Sequence, residues 1–399
     1  MKTFIRQHYK WIIFLALVSL GSLAGELINK RLGMPDLEVY HKTTERLLQG
    51  EELYRTAEED PYEHYVYKYS PPAAFIFIPF VFTGFAAAKY LYWFFLTLIL
   101  GHTLYLLQRI LIRSDGLNNR MIISIMLAIV ITGTHFFREL HLGQVNLLLL
   151  WLYVVALYAL CWKKPLLTGI PLAVSLFLKP FALIFIPFLL ITGHYKALAN
   201  MLLFALIMFG LPFIFYPEMN NFLGLYASWL NELAIELNNK QELLAAGNHT
   251  IFSVLARYSP LRFMALEGIA GMIYQLCLLL IITGILLWFL IRDKSRESNI
   301  RIYIILIALI PLLAYTSYNA FILTLPLTAY LLFHFRELSL PWKILFIFSS
   351  ILIGGNIYDL VGSSLFDLFW AISVYAWGSL GMLLIIFINW HKFSRSVAK

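Results

Sequence analysis

Asp36 stands about eight residues past the first long apolar run, which extends from about Trp11 to Ile28. It opens a polar, aromatic-rich stretch of about forty residues, Asp36 to Pro72, in a chain that is 61% hydrophobic and only 13% charged. Loops of that length are usually functional. A carboxylate at that distance from a membrane span can face water on one side and a lipid-embedded substrate on the other. The position suits a general base that takes a proton from an acceptor hydroxyl while a donor is held in the bilayer. The competing reading is a solvated loop acid, or an N-cap for a helix beginning near Leu37. Glu38, two residues on, can share a divalent ion with it, but Asp-x-Glu alone is a weak signature.

A second group, His135, Arg138, Glu139, His141, Gln144 and Asn146, crowds the ends of two neighbouring apolar runs. Polar side chains at membrane depth are costly and tend to face cavities. The plainer alternatives are capping of the helix near Val145 and an Arg138–Glu139 pair. Lys179 lies in Phe177-Leu-Lys179-Pro180 with no acid close in sequence. Snorkelling to the interface is its ordinary role. Pro180, however, must break the helix, which places an ammonium at a cavity wall where it can bind a phosphate. Arg257, after Gly247-Asn248-His249-Thr250, is a second phosphate candidate; its alternative is an ordinary loop cation. Tyr40, Tyr54, Tyr62, Tyr65, Tyr67 and Tyr69 make an aromatic surface of the kind seen at membrane interfaces and under sugar rings.

The elements that must position these groups are membrane helices. Mean hydropathy is +0.77, and apolar runs long enough to span recur, without the alternation of a β-barrel. The expectation is an all-α polytopic membrane protein of about twelve spans, organised as one domain over 1–399. The first run lacks a small-residue cleavage site and reads as an uncleaved anchor. Cys161 and Cys277 fall inside predicted spans, which leaves no disulfide framework or zinc site. The net charge of +8 concentrates in short loops, where it sets topology; nucleic acid is not an expected partner. Treating those loops as cytoplasmic places both termini inside and leaves two long outer segments, 29–71 and about 217–267. The latter carries Leu225, Trp229, Leu233 and Leu237 at helical spacing, as an interfacial helix would. Within 72–112, Pro71 to Ala88 is expected to be a short broken piece before a true span from Lys89. The runs 165–178 and 180–192 are too brief to cross alone and suggest a cavity.

These motifs, taken in order, resemble the GT-C type integral-membrane glycosyltransferases, and within them glycosyltransferase family 87. The resemblance rests on Asp36-Leu-Glu-Val-Tyr40 with Leu48-Gln-Gly50 and Leu53-Tyr54, then Tyr67-Lys-Tyr69-Ser-Pro71-Pro72 with Pro79. It continues through His141-Leu-Gly143-Gln144-Val-Asn146, Gly169 with Leu178-Lys179-Pro180, and Gly247-Asn248-His249-Thr250 with Arg257, covering most of 30–260. It implies a GT-C-like helical bundle and a polyprenyl-phosphate-sugar donor, with mannose as the family's usual sugar. It also implies inverting transfer to a lipid- or glycan-linked hydroxyl at the outer face of the inner or plasma membrane. Asp36 then corresponds to the catalytic aspartate. Lys179, Arg257 and Arg138 are the candidates for the donor phosphate. Glu38, Tyr40, Tyr69, His141, Gln144, Asn146, Asn248 and His249 line the pocket, and neither metal nor cofactor is called for. The sequence departs from its relatives at Thr316-Ser317-Tyr318-Asn319-Ala320, where they often carry Ser-Trp followed by histidines. Two other classes fit a cavity and a long loop. A flippase of lipid-linked sugars should show internal repeats, and none is visible. An O-antigen ligase or polymerase usually carries its large loop late in the chain.

Overall fold

The computed structural model describes residues 2–54, 66–112, 119–238, 243–264 and 268–395. Tyr62 and Tyr65 lie outside the described residues. Helix is the only regular structure among them, as bilayer surroundings require when backbone groups must be paired within the segment. In chain order the α-helices are α1 (Lys2–Ile28), α2 (Pro35–Gln49), α3 (Ile78–Val81), α4 (Gly84–Leu111), α5 (Asn119–Ile131), α6 (Gly133–Leu142) and α7 (Asn146–Cys161). They continue as α8 (Pro165–Leu178), α9 (Phe185–Ile191), α10 (Tyr195–Gly210), α11 (Met219–Asn238), α12 (Ile251–Tyr258) and α13 (Ile269–Arg292). The last are α14 (Arg296–Leu313), α15 (Leu325–Phe333), α16 (Leu340–Gly354), α17 (Tyr358–Ala371), α18 (Val374–Ile388) and α19 (Trp390–Arg395). Short 3-10 turns at Pro71–Phe77, Pro180–Ile184 and Tyr318–Thr324 join several of them.

The chain is an all-α polytopic membrane protein, but its spans are more broken than expected. Among the described residues, three helical stretches are long and apolar enough to cross: Gly84–Leu111, Tyr195–Ile214 and Ile269–Arg292. Two bent pairs, α5 with α6 and α16 with α17, raise that number to five. Besides the Ile13–Ile28 part of α1, six further apolar helical stretches among the described residues have only 10–17 residues, short of the roughly 20 that a 30 Å hydrocarbon core needs. By length and composition, three to five of the described helices are long enough to cross on their own, beside the twelve spans anticipated. Pro71–Val81 is a short broken piece as expected, and the long helix behind it begins at Gly84 rather than Lys89. At the C-terminal end the chain bends by 95° after Gly354. Asp359 and Asp367 lie on α17 and are exposed.

The contacts divide the chain into two compact units. The first comprises Met1–Leu106, Phe137–Leu183 and Tyr195–Lys240. In it α8 packs between α7 and α10. Gly169 permits the α8–α10 contact, since a Cβ there would stand 2.6 Å from the Met201 nitrogen and 2.7 Å from the Ala197 carbonyl. The polar loop is fastened to this core by hydrogen bonds. Ser70 Oγ donates to the Phe177 carbonyl (2.7 Å), Tyr54 Oη to that of Tyr69 (2.7 Å), and Thr44 Oγ1 to that of Ala74 (3.1 Å). Trp229 of the expected interfacial helix, now seen as α11, donates to the Lys68 carbonyl (3.3 Å). A loop tied down at both ends can hold a side chain in a fixed place.

The second unit comprises Leu107–Phe136, Ile184–His194 and Gln241–Lys399. Its centre is α14, whose apolar residues are buried on every side. Arg301 is fully buried there. It donates to Asp293 (3.1 Å) and stacks 4.2 Å from the Trp390 ring, the pairing a buried cation needs.

Candidate active site

Helix α2 starts two residues earlier than its apolar pattern implied. Met34 takes a left-handed conformation (φ 50°), Pro35 opens the helix, and Gly50 (φ 72°) closes it. Leu37, Tyr40, Thr44 and Leu47 then form its buried stripe, the i, i+3, i+4 pattern of a packed helix. Asp36 is therefore a first-turn residue and not a cap. Its half-buried carboxylate stands where the helix dipole favours negative charge.

Gln144 Nε2 donates to Asp36 Oδ2 in a short hydrogen bond. Among the described residues no donor occupies Oδ1. Gln144 is itself set by Tyr92, whose hydroxyl donates to the Gln144 carbonyl (2.9 Å). Burial pushes the Asp36 carboxyl above its usual range, against the Gln144 hydrogen bond and the charges of Lys179, Arg138 and Lys68. A desolvated carboxylate with one oxygen held and the other open is a stronger base than a solvated one.

Behind Asp36 runs a chain of charge-assisted hydrogen bonds. Lys179 leaves the end of α8 in an extended conformation (φ −150°), because Pro180 cannot continue the helix. Its Nζ donates to Asn146 Oδ1 (2.9 Å), and Asn146 Nδ2 donates to Glu139 Oε1 (2.7 Å). Glu139 Oε2 accepts from the Leu147 backbone N–H (3.0 Å), so this fully buried carboxylate caps the start of α7. The Lys179 ammonium also senses Asp36 electrostatically. On the other side Tyr40 and Tyr69 share a hydrogen bond between their hydroxyls (3.0 Å). Both rings belong to a cluster that includes Phe77 and Tyr67.

Asp36, Tyr40, Tyr69, Arg138, Gln144, Asn146 and Lys179 are thus brought together in the first unit. Glu38 is not, because residues two apart on a helix point to different sides. It pairs instead with Lys42 (2.8 Å). His141 Nδ1 contacts Glu26 Oε2 (2.9 Å), which makes it a fastening between the end of α1 and α6. Arg257, Asn248 and His249 belong to the second unit, where they form a clamp. Arg257 Nη1 donates to the Ala371 carbonyl (2.6 Å); Nη2 donates to the Asn248 carbonyl (2.9 Å) and to Ser373 Oγ (2.6 Å). Its guanidinium is occupied by the protein's own oxygens. His249 Nδ1 meets Ser373 Oγ (2.9 Å), and Asn248 Oδ1 accepts from the Thr250 hydroxyl (2.8 Å). Sequence reasoning missed Tyr92 beside Asp36 and Ser373 in the clamp, and it quoted Gly143 within a motif without giving it a role. Gly143 had a signal, as a glycine directly after a helical pattern; Ser373, in an apolar run, had none.

The model of the family described as Glycosyltransferase family 87 matches residues 67–316, more than half of the chain. The chain belongs to glycosyltransferase family 87. It is accordingly a membrane glycosyltransferase. The family 87 match contains Tyr69, Arg138, Gln144, Asn146, Lys179 and Arg257, whereas Asp36, Glu38 and Tyr40 precede it. No curated protein and no solved structure matches the chain significantly.

Proposed function

We propose that this family 87 enzyme transfers a hexose, mannose by family habit, from a polyprenyl-phosphate-sugar to a hydroxyl of a lipid- or glycan-linked acceptor. The site is taken to face the outer side of the inner or plasma membrane, with both termini cytoplasmic. The observation that carries this reading is Asp36 itself, with Oδ2 held by Gln144, no donor on Oδ1 and Lys179 close by. Asp36 takes the acceptor proton as the acceptor oxygen attacks the anomeric carbon from the face opposite the phosphate. The new glycosidic bond forms, the carbon–oxygen bond to phosphate breaks, and polyprenyl phosphate leaves with both electrons. Configuration at that carbon inverts. A phosphate monoester is a good leaving group, so its developing charge needs cations rather than an acid. Lys179 and Arg138 are assigned that role. Arg257, committed to backbone carbonyls, is assigned to holding its own loop.

The test is a panel of polyprenyl-phosphate hexoses and pentoses and a polyprenyl-diphosphate hexose, assayed on purified protein, with product configuration read by NMR. Turnover of a monophosphate hexose with inversion is expected. Turnover of the diphosphate donor alone, or retention of configuration, would exclude the scheme.

Lys179→Ala is expected to raise the donor KM by about tenfold or more, the size of a lost hydrogen bond to a charged group. The acceptor KM should hold; an unaltered donor KM would remove Lys179 from the donor site. Gln144→Leu deletes an interaction that lowers the Asp36 pKa. The acid limb of its kcat/KM profile should therefore lie at higher pH than that of the wild type, both above the ordinary carboxylate range near about 4. Coincident limbs would show that another group titrates.

A further inference from the structure

Glu139 on α6 and Asn146 at the start of α7 are fully buried. Neither is placed to touch a substrate, yet both are tied to Lys179. The lysine carries its ammonium on a flexible four-carbon stem, with three N–H donors and nothing in its shape to aim them. Its hydrogen bond to Asn146 Oδ1 (2.9 Å) anchors Nζ, and the Phe181 ring centre lies 5.8 Å away. An amide can present either its oxygen or its NH2 in a given direction, and only the neighbouring hydrogen bonds decide which. Here Glu139 decides it. Oε2 accepts from the Leu147 N–H (3.0 Å) and Oε1 accepts from Asn146 Nδ2 (2.7 Å), as an ionised, acceptor-only carboxylate does. With its NH2 turned to Glu139, Asn146 has only its oxygen to offer Lys179. The ammonium also feels the Glu139 charge, together with that of Asp36.

We propose that Glu139 and Asn146 are positioning residues for the donor phosphate: the buried carboxylate sets which way the Asn146 amide faces, and the amide aims the Lys179 ammonium. This inference rests on the reading of Lys179 as a cation for that phosphate. Glu139→Gln probes it sharply, because the change keeps the shape and alters the polarity. The Leu147 N–H still requires an acceptor, so the new amide keeps its oxygen there and turns its NH2 toward Asn146. Asn146 must answer with its oxygen, which leaves its own NH2 against the ammonium, donor facing donor. Adding Asn146→Asp restores the order of donors and acceptors. The NH2 at position 139 then meets a carboxylate at position 146, whose other oxygen accepts from Lys179. The net charge of the three side chains is again that of the wild type.

Binding of polyprenyl phosphate to the full-length protein in detergent, read by native mass spectrometry, tests the relay without acceptor or turnover. An unfolding midpoint for each variant reports on the fold. Lys179→Ala and Glu139→Gln should each weaken binding by about tenfold, the size of a lost hydrogen bond to a charged group. Combined in one chain, they should weaken it no further than Lys179→Ala alone, since the carboxylate acts through the ammonium. Glu139→Gln together with Asn146→Asp should bind near the wild-type level, a recovery that lost packing would not allow. This pair carries the test even where Glu139→Gln alone folds poorly, because its hydrogen bonds are again complementary. Wild-type binding in Glu139→Gln, additive losses on top of Lys179→Ala, or a paired variant as weak as Lys179→Ala would each overturn the proposal. Binding unaffected by Lys179→Ala would instead remove the donor role of Lys179 itself, and this inference with it.

Discussion

Gly143→Ala is expected to cost about 2–4 kcal/mol of stability and to lower transfer per folded molecule by about a hundredfold. Gly143 closes α6 at φ +71°, a left-handed conformation that a Cβ disfavours. Crowding adds to the strain. A methyl group there would stand 2.7 Å from Leu37 Cβ, 3.1 Å from Met34 Cβ and 3.2 Å from the Leu37 nitrogen. Those atoms are backbone or nearest to it and cannot swing aside. Met34 is also fixed by its N–H, which donates to the His141 carbonyl (3.2 Å). The first turn of α2 must therefore shift as a unit, and Asp36 lies between the two residues struck. Displacement by a fraction of an ångström is enough to lose the geometry that proton transfer needs. Unfolding in detergent and initial rates normalised to folded protein separate the two effects. Rates within twofold of wild type would mean that Asp36 does not depend on this contact.

The helices were legible because long apolar runs in a chain this oily leave few alternatives. The break at Lys179 and the short piece after Ser70 were legible too, since proline removes a donor wherever it stands. Two residues separate the expected start of α2 from the observed one, and that difference matters. It turns Asp36 from a cap into a first-turn residue and sends Glu38 to another side of the helix. Hydropathy marked a start near Leu37, while Pro35, a good first helical residue, was the better signal. The role of Arg257 was not legible at all. Its partners Ala371 and Ser373 are 114 and 116 residues further on, and no local pattern announces carbonyls brought in by folding. The bends within apolar runs were hidden for a related reason. Hydropathy sums apolar content but does not see where the backbone turns within it, as it does after Gly354.

Asp36→Asn should abolish most of the transfer, by about 10²–10⁴-fold, the contribution typical of a positioned general base. The fold should not suffer. Asparagine is nearly isosteric, and its side-chain oxygen can still accept from Gln144. The linkage has a definite sign. Burial raises the Asp36 pKa above its unfolded value, so the ionised carboxylate is less stable in the folded protein than in the unfolded chain. That penalty is present above the folded pKa and is relieved as pH falls through it toward the unfolded value near about 3.9. A neutral asparagine removes the penalty at neutral pH, and the variant's unfolding midpoint should equal or exceed that of the wild type. Loss of activity with retained stability separates chemistry from structure, which Gly143→Ala cannot do. The decisive measurement is transfer of labelled hexose from a polyprenyl-phosphate donor by equal amounts of folded wild type and Asp36→Asn. A fall of at least about a hundredfold is predicted, at the low end of general-base effects; turnover equal to wild type would contradict the assignment of Asp36 as the base.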